Sequence, residues 1–367
     1  MKKISLTIEK LNSEGAGLAR NNGKVHFVPW TAPGDKVLVQ IEKEHRDYTE
    51  SRLLDILDKS PDRVLPPCPY FMSCGGCQLQ HLSYESQLKW KREIVVDALK
   101  RIARLPDVGV APMIASPKIW NYRSRIQLQK DSQGKVGFFK SKSHEVIEIQ
   151  SCFIADERLN EKIKDMKKSP LDPPFVKGGL GGFELRVDGS SGFTQINPEQ
   201  NKKLIELVID YSALQKSDCV IDLYCGNGNF TFSLAAQSKQ VWGIEINSDS
   251  LVSAQKRAQE LGIKNISWKL GSADKALAEL SREVASCDIM LVDPPRRGLE
   301  EAMDWIFPLA PHRLIYVSCN PATFARDAAR LVKKGYLLKN CQPVDMFPHT
   351  SHVELIARFD LSLQRPI

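Results

Sequence analysis

The sequence predicts an α/β protein with three parts: a small β-barrel at the N-terminus, a β-rich middle region, and a parallel sheet covered by helices. From about residue 184 onward, apolar strands such as "CVIDLYCG" and "DIMLVDPP" alternate with stretches of helical periodicity. This alternation is typical of a parallel sheet with helices on both faces. In the first sixty residues, five short strand-like stretches follow one another between turn residues. So little chain favours closure into a barrel.

The composition is that of an ordinary globular protein. Hydrophobic residues make up 42% and charged residues 26% of the 367 residues, enough chain for two or three domains. No apolar run reaches the length of a membrane span, and the start lacks a signal peptide, so we expect a cytoplasmic protein with reduced cysteines and no membrane partner. The net charge of +7 suits a polyanionic partner, although charge alone does not require one.

We expect the barrel to span residues 1–58. Lysines and arginines punctuate its strands, which favours oligonucleotide binding, while a structural β cap with solvated charges remains the alternative. The middle domain is expected over 59–183. It begins with a Pro- and Cys-containing stretch and a helix for which Ser83 is the expected N-cap.

The second half of the middle domain, residues 120–155, alternates like half-buried strands. Its arginines and lysines are mixed with aromatic residues, which suits RNA phosphates and bases, although an ordinary half-exposed sheet has the same pattern. The segment 167–183 is rich in proline and glycine. We interpret it as a loop or linker without activity. The third domain is expected over 184–367.

A glycine-containing turn follows the first strand of the third domain. Gly226 and Gly228 allow a sharp turn and close approach to a ligand, and Asp222 on the preceding strand favours a cation such as S-adenosylmethionine (SAM). Glu245 ends the next strand, where a carboxylate can accept two ribose hydroxyls. Asp274 is a candidate adenine contact or a helix cap. A turn that binds nothing stays open; a nicotinamide cofactor is disfavoured because the third glycine is missing.

Two further strands end in reactive side chains. The fourth ends at Asp293 and the fifth at Cys319, so both face the crevice above the carboxyl edge of the sheet. Glu354 begins a later strand. A lone cysteine is usually inert packing, but a methyl donor, a thiol and a carboxylate together suit methylation of a pyrimidine carbon, with Cys319 as nucleophile and Glu354 as base.

Four cysteines of the middle domain form a separate pattern. Cys68, Cys74 and Cys77 stand as C-x5-C-x2-C, and Cys152 is the next cysteine along the chain. Four thiolates suit zinc or an iron–sulfur cluster, and the long first spacing favours the cluster. The remaining cysteines lack a partner pattern and are interpreted as packing: Cys219, Cys225, Cys287 and Cys341. Three histidines give no convincing metal site: His81, His349 and His352.

Four motifs, in this order, resemble the RNA uracil-C5 (5-methyluridine) methyltransferase family: "DLYCGNGNFT", "DPPRRGL", "YVSCNPATFARD" and "DMFPHTSHVELIARF". The resemblance covers nearly the whole chain, because residues 1–58 look like that family's RNA-binding TRAM domain. It implies a Rossmann-like SAM-dependent methyltransferase domain behind an OB-like barrel. The type most similar is the iron–sulfur-containing enzyme that acts on 23S ribosomal RNA.

The resemblance also implies roles for individual residues. Cys319 is the expected nucleophile and Glu354 the expected base. Six positions match those that hold the methyl donor or shape the site: Gln195, Tyr224, Asn229, Glu245, Asp274 and Asp293. Four positions match the ligands of a [4Fe–4S] cluster: Cys68, Cys74, Cys77 and Cys152.

The implied activity is SAM-dependent formation of 5-methyluridine in RNA, by a monomer that takes the uridine out of its stack. The expected substrate is 23S rRNA, with a tRNA uridine as the alternative. A cytosine-C5 methyltransferase is disfavoured because the motif at Asp293 lacks the second cysteine of that chemistry. The alternative of another class is a non-catalytic RNA-binding protein on an inherited fold, and the intact Cys319 and Glu354 argue against it.

Overall fold

The computed structural model describes residues 2–168, 182–187, 195–284 and 287–362, whose strands form three sheets. Most of the proline- and glycine-rich segment 167–183 lies outside these residues. Within the described ranges, none of the helices combines the length and apolarity needed to cross a membrane.

The N-terminal sheet has six strands in the order β1-β5-β6-β4-β3-β2. The strands are β1 (Lys3–Thr7), β2 (Lys10–Leu11), β3 (Gly17–Asn21), β4 (Lys24–Val28), β5 (Lys36–Glu44) and β6 (Tyr48–Asp58). The predicted barrel is confirmed, with the first predicted stretch divided into β1 and β2. The register between β5 and β6 shifts three times along their length. Such bulges bend and twist a sheet, which lets so short a chain curl around a core.

The middle sheet has four strands in the order β10-β7-β8-β9. They are β7 (Arg125–Lys130), β8 (Val136–Phe139), β9 (Val146–Glu148) and β10 (Gly182–Arg186). Helix α2 (Glu157–Lys168) packs on this sheet through Leu159 and Ile163. Strand β10 pairs with β7 along its whole length, so the middle sheet extends past residue 183, where we placed the domain boundary.

The third sheet has seven strands in the order β13-β12-β11-β14-β15-β17-β16. They are β11 (Cys219–Leu223), β12 (Gln240–Glu245), β13 (Ile266–Leu270), β14 (Ile289–Val292), β15 (Arg313–Ser318), β16 (Tyr336–Val344) and β17 (Glu354–Leu361). The first five are parallel to their neighbours, as predicted, but β17 inserts antiparallel between β15 and β16. Every side chain of β14 is buried, as expected for a strand covered on both faces.

Helices connect and cover these strands. They are α3 (Pro198–Ser212), α4 (Thr231–Ala235), α5 (Ser248–Glu260), α6 (Ala273–Glu283), α7 (Met303–Leu309) and α8 (Pro321–Lys333). Their apolar residues form two buried clusters, one on each face of the sheet. Burying such surface contributes about 25 cal/mol per Å², so the sheet is a firm platform for the side chains at its edge.

Helix α1 (Tyr84–Ala98) belongs by packing to this third sheet. Ser83 caps its N-terminus by accepting a hydrogen bond from the Ser86 N–H at 3.3 Å, as predicted. Val95, together with Leu99 in the π-helical turn Leu99–Ala103, packs in the same apolar cluster as α8. The chain then forms isolated bridges from Val110 to Cys341 and from Ile114 to Val344, along the outer edge of β16. Residues 84–114 thus lie in the predicted middle domain but support the third.

Candidate active site

Cys319 is the single residue between the end of β15 and the N-cap residue of α8. Asn320 caps the helix by accepting a hydrogen bond from the Ala322 N–H at 3.1 Å, and Pro321 takes the first helical position. Proline suits this position because its missing N–H would have no helical partner there. The strand therefore stops and the backbone turns at Cys319, which leaves the half-buried thiol above the carboxyl edge of the sheet.

Glu354 and Asp293 face this thiol from the two neighbouring strands. The antiparallel pairing of β15 with β17 ends at Ser318 and Leu355, so one further step of the register sets Cys319 opposite Glu354. The parallel pairing of β14 with β15 brings Asp293 to the same edge from the other side. Glu354 is 8% exposed and Asp293 is half-buried. A thiol and two carboxyl groups thus share one edge of the sheet.

Burial raises the pKa values of these three groups, and repulsion from neighbouring negative charge adds to the shift for Cys319 and Glu354. Burial, then the charges of Glu354 and Asp293, raise the pKa of the Cys319 thiol to about 11, against a smaller opposing effect of Arg296. Burial raises the pKa of Asp293 to about 7. Burial and then Asp293 raise the pKa of Glu354 well above its usual range. Such a site favours a cationic ligand, because a nearby positive charge stabilises the ionised forms.

The loop that carries Asp293 is fixed to helix α8. Asn320 and Thr323 donate side-chain hydrogen bonds to the Arg296 carbonyl at 3.0 and 3.1 Å. Fully buried Asp327 accepts from the Leu299 N–H at 2.8 Å. A Cβ on Gly298 would lie 2.4 Å from the carboxylate of Asp327, so only glycine allows this close approach. The loops of Asp293 and Cys319 are therefore held as one unit.

A cavity of about 470 Å³ lies beside this unit, above the ends of β11, β12 and β14. It is lined by four of the six residues predicted to hold the methyl donor: Tyr224, Glu245, Asp274 and Asp293. Gly226 also faces the cavity: it has φ +55°, and a Cβ on it would meet nothing within 4 Å. The open space over this glycine is the room that a ligand lying against the backbone needs.

The carboxylates around this cavity suit a ligand that carries hydroxyls and positive charge. Glu245 accepts hydrogen bonds from the N–H groups of Gly226 at 3.0 Å and Asn247 at 2.8 Å, which orients its carboxylate. Asp222 is fully buried, and Thr231 donates to one of its oxygens at 2.6 Å. Its other oxygen has no hydrogen-bond partner among the described residues. Burial raises the pKa of Asp222 to about 7. Asp222 does not line the cavity itself but lies two residues before Tyr224, which does, and positive charge bound nearby would favour its ionised form.

The other two predicted residues line a second cavity, of about 600 Å³, on the far side of the glycine turn. Asn229 exchanges side-chain hydrogen bonds with Asn201 at 2.8 and 3.1 Å, and the Gln195 carbonyl accepts from the Ser124 hydroxyl at 3.1 Å. Lys118, Arg158 and further residues of the middle region line the opposite wall. The six predicted residues are thus divided between two cavities.

The four cysteines of the middle region line one further cavity, of about 160 Å³: Cys68, Cys74, Cys77 and Cys152. Burial raises the pKa of Cys74 to about 11 and of Cys77 to about 12, and neighbouring thiols of the set add to both shifts. The guanidinium of Arg123 lies in the same cavity and acts in the opposite sense. In the part of the chain described, no group of three or more His, Cys, Asp or Glu side chains is arranged to hold a single metal ion.

The remaining cysteines lie in the third domain. Cys225, Cys287 and Cys341 are buried, and Cys219 is half-buried at the start of β11. Sequence reasoning gave no role to two histidines that the structure places near the site. His352 contacts the Arg296 guanidinium, with Nδ1 at 3.2 Å, and His349 is buried in the loop before Glu354. Both histidines lie in the motif "DMFPHTSHVELIARF" that also contains Glu354, but their partners Gln87, Trp120 and Arg296 lie far away in sequence.

The seven-stranded sheet, its glycine turn and the acidic residue that ends β12 define a SAM-dependent methyltransferase. Comparison with known proteins gives the family. Residues 183–357 match the family described as tRNA (uracil-5-)-methyltransferase, and residues 2–54 match the TRAM domain. The chain belongs to the RNA uracil-5 methyltransferases that use SAM.

Relatives and a solved structure extend the match over the whole chain. An uncharacterised RNA methyltransferase of Halalkalibacterium halodurans is 31% identical, over 98% of this chain and 97% of the relative. One of Bdellovibrio bacteriovorus is 34% identical, over 97% and 94%. The crystal structure of the Pyrococcus abyssi tRNA (uracil-54, C5)-methyltransferase in complex with S-adenosyl-L-homocysteine superposes with a TM-score of 0.71 and 26% identity. It covers 97% of this chain and 100% of its own.

Proposed function

We propose that this protein methylates C5 of a uridine in 23S rRNA, with Cys319 as the nucleophile and Glu354 as the base. The observation that carries the proposal is the shared sheet edge. The thiol lies opposite one carboxyl group and beside another, next to a cavity that suits SAM. The family match spans both Cys319 and Glu354.

The proposed reaction begins at Cys319. Its sulfur bonds to C6 of the uracil, and the π electron pair of the C5–C6 double bond moves to C5 and the C4 carbonyl oxygen, which gives an enolate with a nucleophilic C5. The thiol must first lose its proton, and positive charge bound among Asp222, Glu245 and Asp293 favours that loss. SAM, when bound, supplies a methyl group attached to a cationic sulfur. C5 takes this methyl group, so the base then carries both a methyl and a hydrogen on C5.

Glu354 completes the proposed reaction. Its carboxylate accepts the proton from C5, the C–H electron pair re-forms the C5–C6 double bond, and the C6–S bond breaks to return the thiolate of Cys319. A carboxylate whose pKa is raised by burial is a stronger base than an exposed one. The net products are 5-methyluridine, the demethylated cofactor and one proton.

We further propose that the same six residues hold SAM: Gln195, Tyr224, Asn229, Glu245, Asp274 and Asp293. The carboxylates of Glu245, Asp274 and Asp293 and the open space over Gly226 support a cationic ligand in the cavity of about 470 Å³. Gln195 and Asn229, in the neighbouring cavity, lie on the side from which the middle domain faces the site.

A [4Fe–4S] cluster is proposed for the cavity lined by Cys68, Cys74, Cys77 and Cys152. Four thiols around one cavity fit such a cluster, whose several iron atoms take thiolates that stand farther apart than the ligands of one ion. Half-buried Arg123 beside them would offset negative charge. Iron and acid-labile sulfide should accompany the anaerobically purified protein and fall in C77S, whereas C219S, outside the cavity, should keep both. If C77S kept the full iron content of the wild type, the proposal that these four cysteines hold a cluster would be wrong.

The choice of RNA rests on the barrel together with the four-cysteine set. A tRNA uridine is the second candidate, because the solved structure that matches over the whole chain is a tRNA (uracil-54, C5)-methyltransferase. Nucleoside mass spectrometry of rRNA and tRNA, purified separately from cells with and without this gene, decides between them. Loss of 5-methyluridine from one of the two RNA pools identifies the substrate. If the amount of 5-methyluridine in both pools stays the same when the gene is removed and when it is added back, the proposed activity is wrong.

The roles of Cys319 and Glu354 are tested with purified enzyme. C319A should lose methylation below detection while it binds RNA as before, since the first bond cannot form. E354Q should form the RNA–protein bond and transfer the methyl group but fail to release the product. Methylation by C319A at the normal rate would contradict the mechanism.

A further inference from the structure

The base-bearing loop, residues 345–353, joins β16 to β17 and ends next to Glu354. Besides a few local hydrogen bonds, it is held by residues far away in sequence. Lys91 on α1 donates to Asp345 Oδ1 at 2.7 Å and to the Phe347 carbonyl at 2.9 Å, and both charged side chains are fully buried. Tyr84, also on α1, donates to the other oxygen of Asp345 at 2.9 Å. Helix α1 therefore fixes the start of the loop.

The middle of the loop is held from two more sides. Tyr122 donates its hydroxyl hydrogen to the Pro348 carbonyl at 3.0 Å. The backbone N–H groups of Gln78 and Leu79, directly after the cysteine motif, both donate to the His349 carbonyl at 3.0 Å. Tyr122 of the middle region, the stretch after the cysteine motif and α1 thus converge on a segment that ends one residue before the proposed base.

His349 is the residue on which most of these contacts meet. Its backbone is left-handed, with φ +66°, a conformation that costs a residue with a side chain free energy and needs support from its surroundings. Buried Gln87 supplies that support with both ends of its amide. Its Oε1 accepts from the His349 N–H at 2.9 Å, and its Nε2 lies 3.1 Å from the ring Nδ1.

The ring of His349 is fixed as well. It stacks on Trp120 with the ring centroids 3.6 Å apart and the planes at 16°. Burial, and then the charge of Lys91, lower the pKa of this histidine to about 3. The ring is therefore neutral, and its Nδ1 can accept the hydrogen bond that Gln87 donates. One glutamine holds both the backbone and the ring of a strained residue five positions before Glu354.

We propose that Gln87 is a positioning residue that acts through His349 to place Glu354 for removal of the C5 proton. This inference rests on the proposed role of Glu354 as the base. Within the described part of the chain, the side-chain hydrogen bonds of Gln87 go to His349 and to the Leu82 carbonyl, and none goes to the strands of the cofactor cavity or to the turn that carries Cys319. We therefore expect a variant without the Gln87 amide to slow the removal of the C5 proton, which is the last chemical step. Addition of Cys319 to C6 and transfer of the methyl group should be unchanged.

The last step begins from uracil that is joined through C6 to the sulfur of Cys319 and already methylated at C5. The C5 proton passes to the Glu354 carboxylate, its electron pair forms the C5–C6 double bond, and the C6–S bond breaks with both electrons on sulfur. When this step alone is slow, the covalent RNA–protein species accumulates. It survives denaturing electrophoresis because no thiol is released until the proton has gone.

The decisive variant is Q87M, which keeps the length of the side chain and removes both hydrogen bonds to His349, together with the one that Gln87 donates to the Leu82 carbonyl at 3.0 Å. We expect kcat to fall by about tenfold or more, because a catalytic group that is out of place reacts more slowly. We expect KM for SAM to stay within about twofold of the wild-type value, because the substitution does not change the SAM site. We expect methylated covalent RNA–protein species to accumulate during turnover. Y122F, which removes the bond to the Pro348 carbonyl and the interaction of the hydroxyl with Arg123 but leaves Gln87 in place, should show the same pattern more weakly.

Two further variants make the result interpretable. S83A removes the cap of α1 and lowers the stability of that helix without touching the base-bearing loop, so it should accumulate no covalent species. E354Q provides the reference level. If E354Q accumulates the species and Q87M and Y122F lose rate without it, the inference is overturned. If E354Q itself accumulates none, the role of Glu354 fails instead. Thermal unfolding and SAM binding show whether Q87M is folded. If it is not, the result for Y122F alone tests the inference.

Discussion

Glu354 lies opposite Cys319 where β17 begins and β15 ends. The strand pairing that joins Ser318 to Leu355 sets this relationship, so it depends on the register of two strands about thirty-five residues apart. The proximity has an electrostatic cost, because a negative charge on either group raises the pKa of the other. The resting thiol is therefore protonated at neutral pH, and the predictions below start from that state.

Alkylation of Cys319 by iodoacetamide should be slow at neutral pH. With its pKa raised to about 11, the thiolate fraction at pH 7 is about a hundredfold smaller than for a thiol of ordinary pKa, and the rate should keep rising beyond pH 9. Quenched labelling with peptide mass spectrometry measures this rate, against N-acetylcysteine as the reference. E354Q removes the largest opposing charge, so its profile should shift to lower pH. A wild-type profile that levels off near pH 8 would contradict the prediction.

Glu245→Gln should weaken SAM binding without unfolding the protein. The carboxylate is held by the N–H groups of Gly226 and Asn247, and loss of a charged hydrogen-bond acceptor costs about 1.5–3 kcal/mol, which is roughly ten- to a hundredfold in Kd. Titration calorimetry measures the change. E260Q, at the exposed end of α5, is the matched control and should bind SAM as the wild type does. Equal affinities for the two variants would exclude Glu245 from the cofactor site.

The two glycines of the turn should respond differently to alanine. A Cβ on Gly228 would lie 2.6 Å from the Phe232 ring, whereas one on Gly226 meets nothing within 4 Å and faces the cavity. Both have positive φ, which costs alanine about 1–2 kcal/mol. G228A should therefore lose more stability in denaturant unfolding, because Phe232 must also move. G226A should lose more SAM affinity than G228A, relative to the stability that each variant loses. If G228A instead showed the larger relative loss of affinity, the ligand would not lie over Gly226.

Ionisation of Asp222 should destabilise the protein without ligand as pH rises. Its pKa is 3.8 in the ordinary state and about 7 when folded, so between these values the folded state holds a proton that the unfolded state has lost. The stability contributed by the protonated group is complete below about pH 4 and is lost as pH rises through about 7. D222N cannot ionise. Its free energy of unfolding should therefore rise relative to that of the wild type by at most about 1.4 kcal/mol for each unit of pH in this range.

Thermal unfolding of both proteins from pH 5 to pH 8, without SAM, measures that difference. D107N replaces an exposed aspartate and should follow the wild type at every pH. A constant gap between D222N and the wild type would show that Asp222 ionises normally.

The sequence predicted the elements whose boundaries are local. "ISWKL" is a strand over the predicted residues, and the hydroxyl of Ser83 caps its helix. Strand β16 was not predicted, since "YLLKNCQPV" is interrupted by polar residues and a proline. Strand β10 was missed because it lies within a glycine-rich segment, and only its pairing with β7 defines it. Pairing across long separations has no local pattern.

The candidate site shows the same division. The residue types at the ends of β12, β14 and β15 could be chosen from the sequence, because parallel strands bring their carboxyl ends together. The support of the base-bearing loop could not. The bonds from Gln87 to His349 and from Lys91 to Asp345 span more than 250 residues, and neither helix periodicity nor motif spacing points from one partner to the other.

The bridges from Val110 to Cys341 and from Ile114 to Val344 have a consequence for handling the protein. An outermost strand with unpaired backbone groups is a template for a second chain, and proteins that leave one open tend to aggregate. Here residues 110–114 occupy part of that position along β16. A fragment that starts at residue 184 would therefore expose this edge together with the apolar face that α1 covers. Expressed without its N-terminal half, the catalytic sheet should precipitate rather than fold as an independent unit.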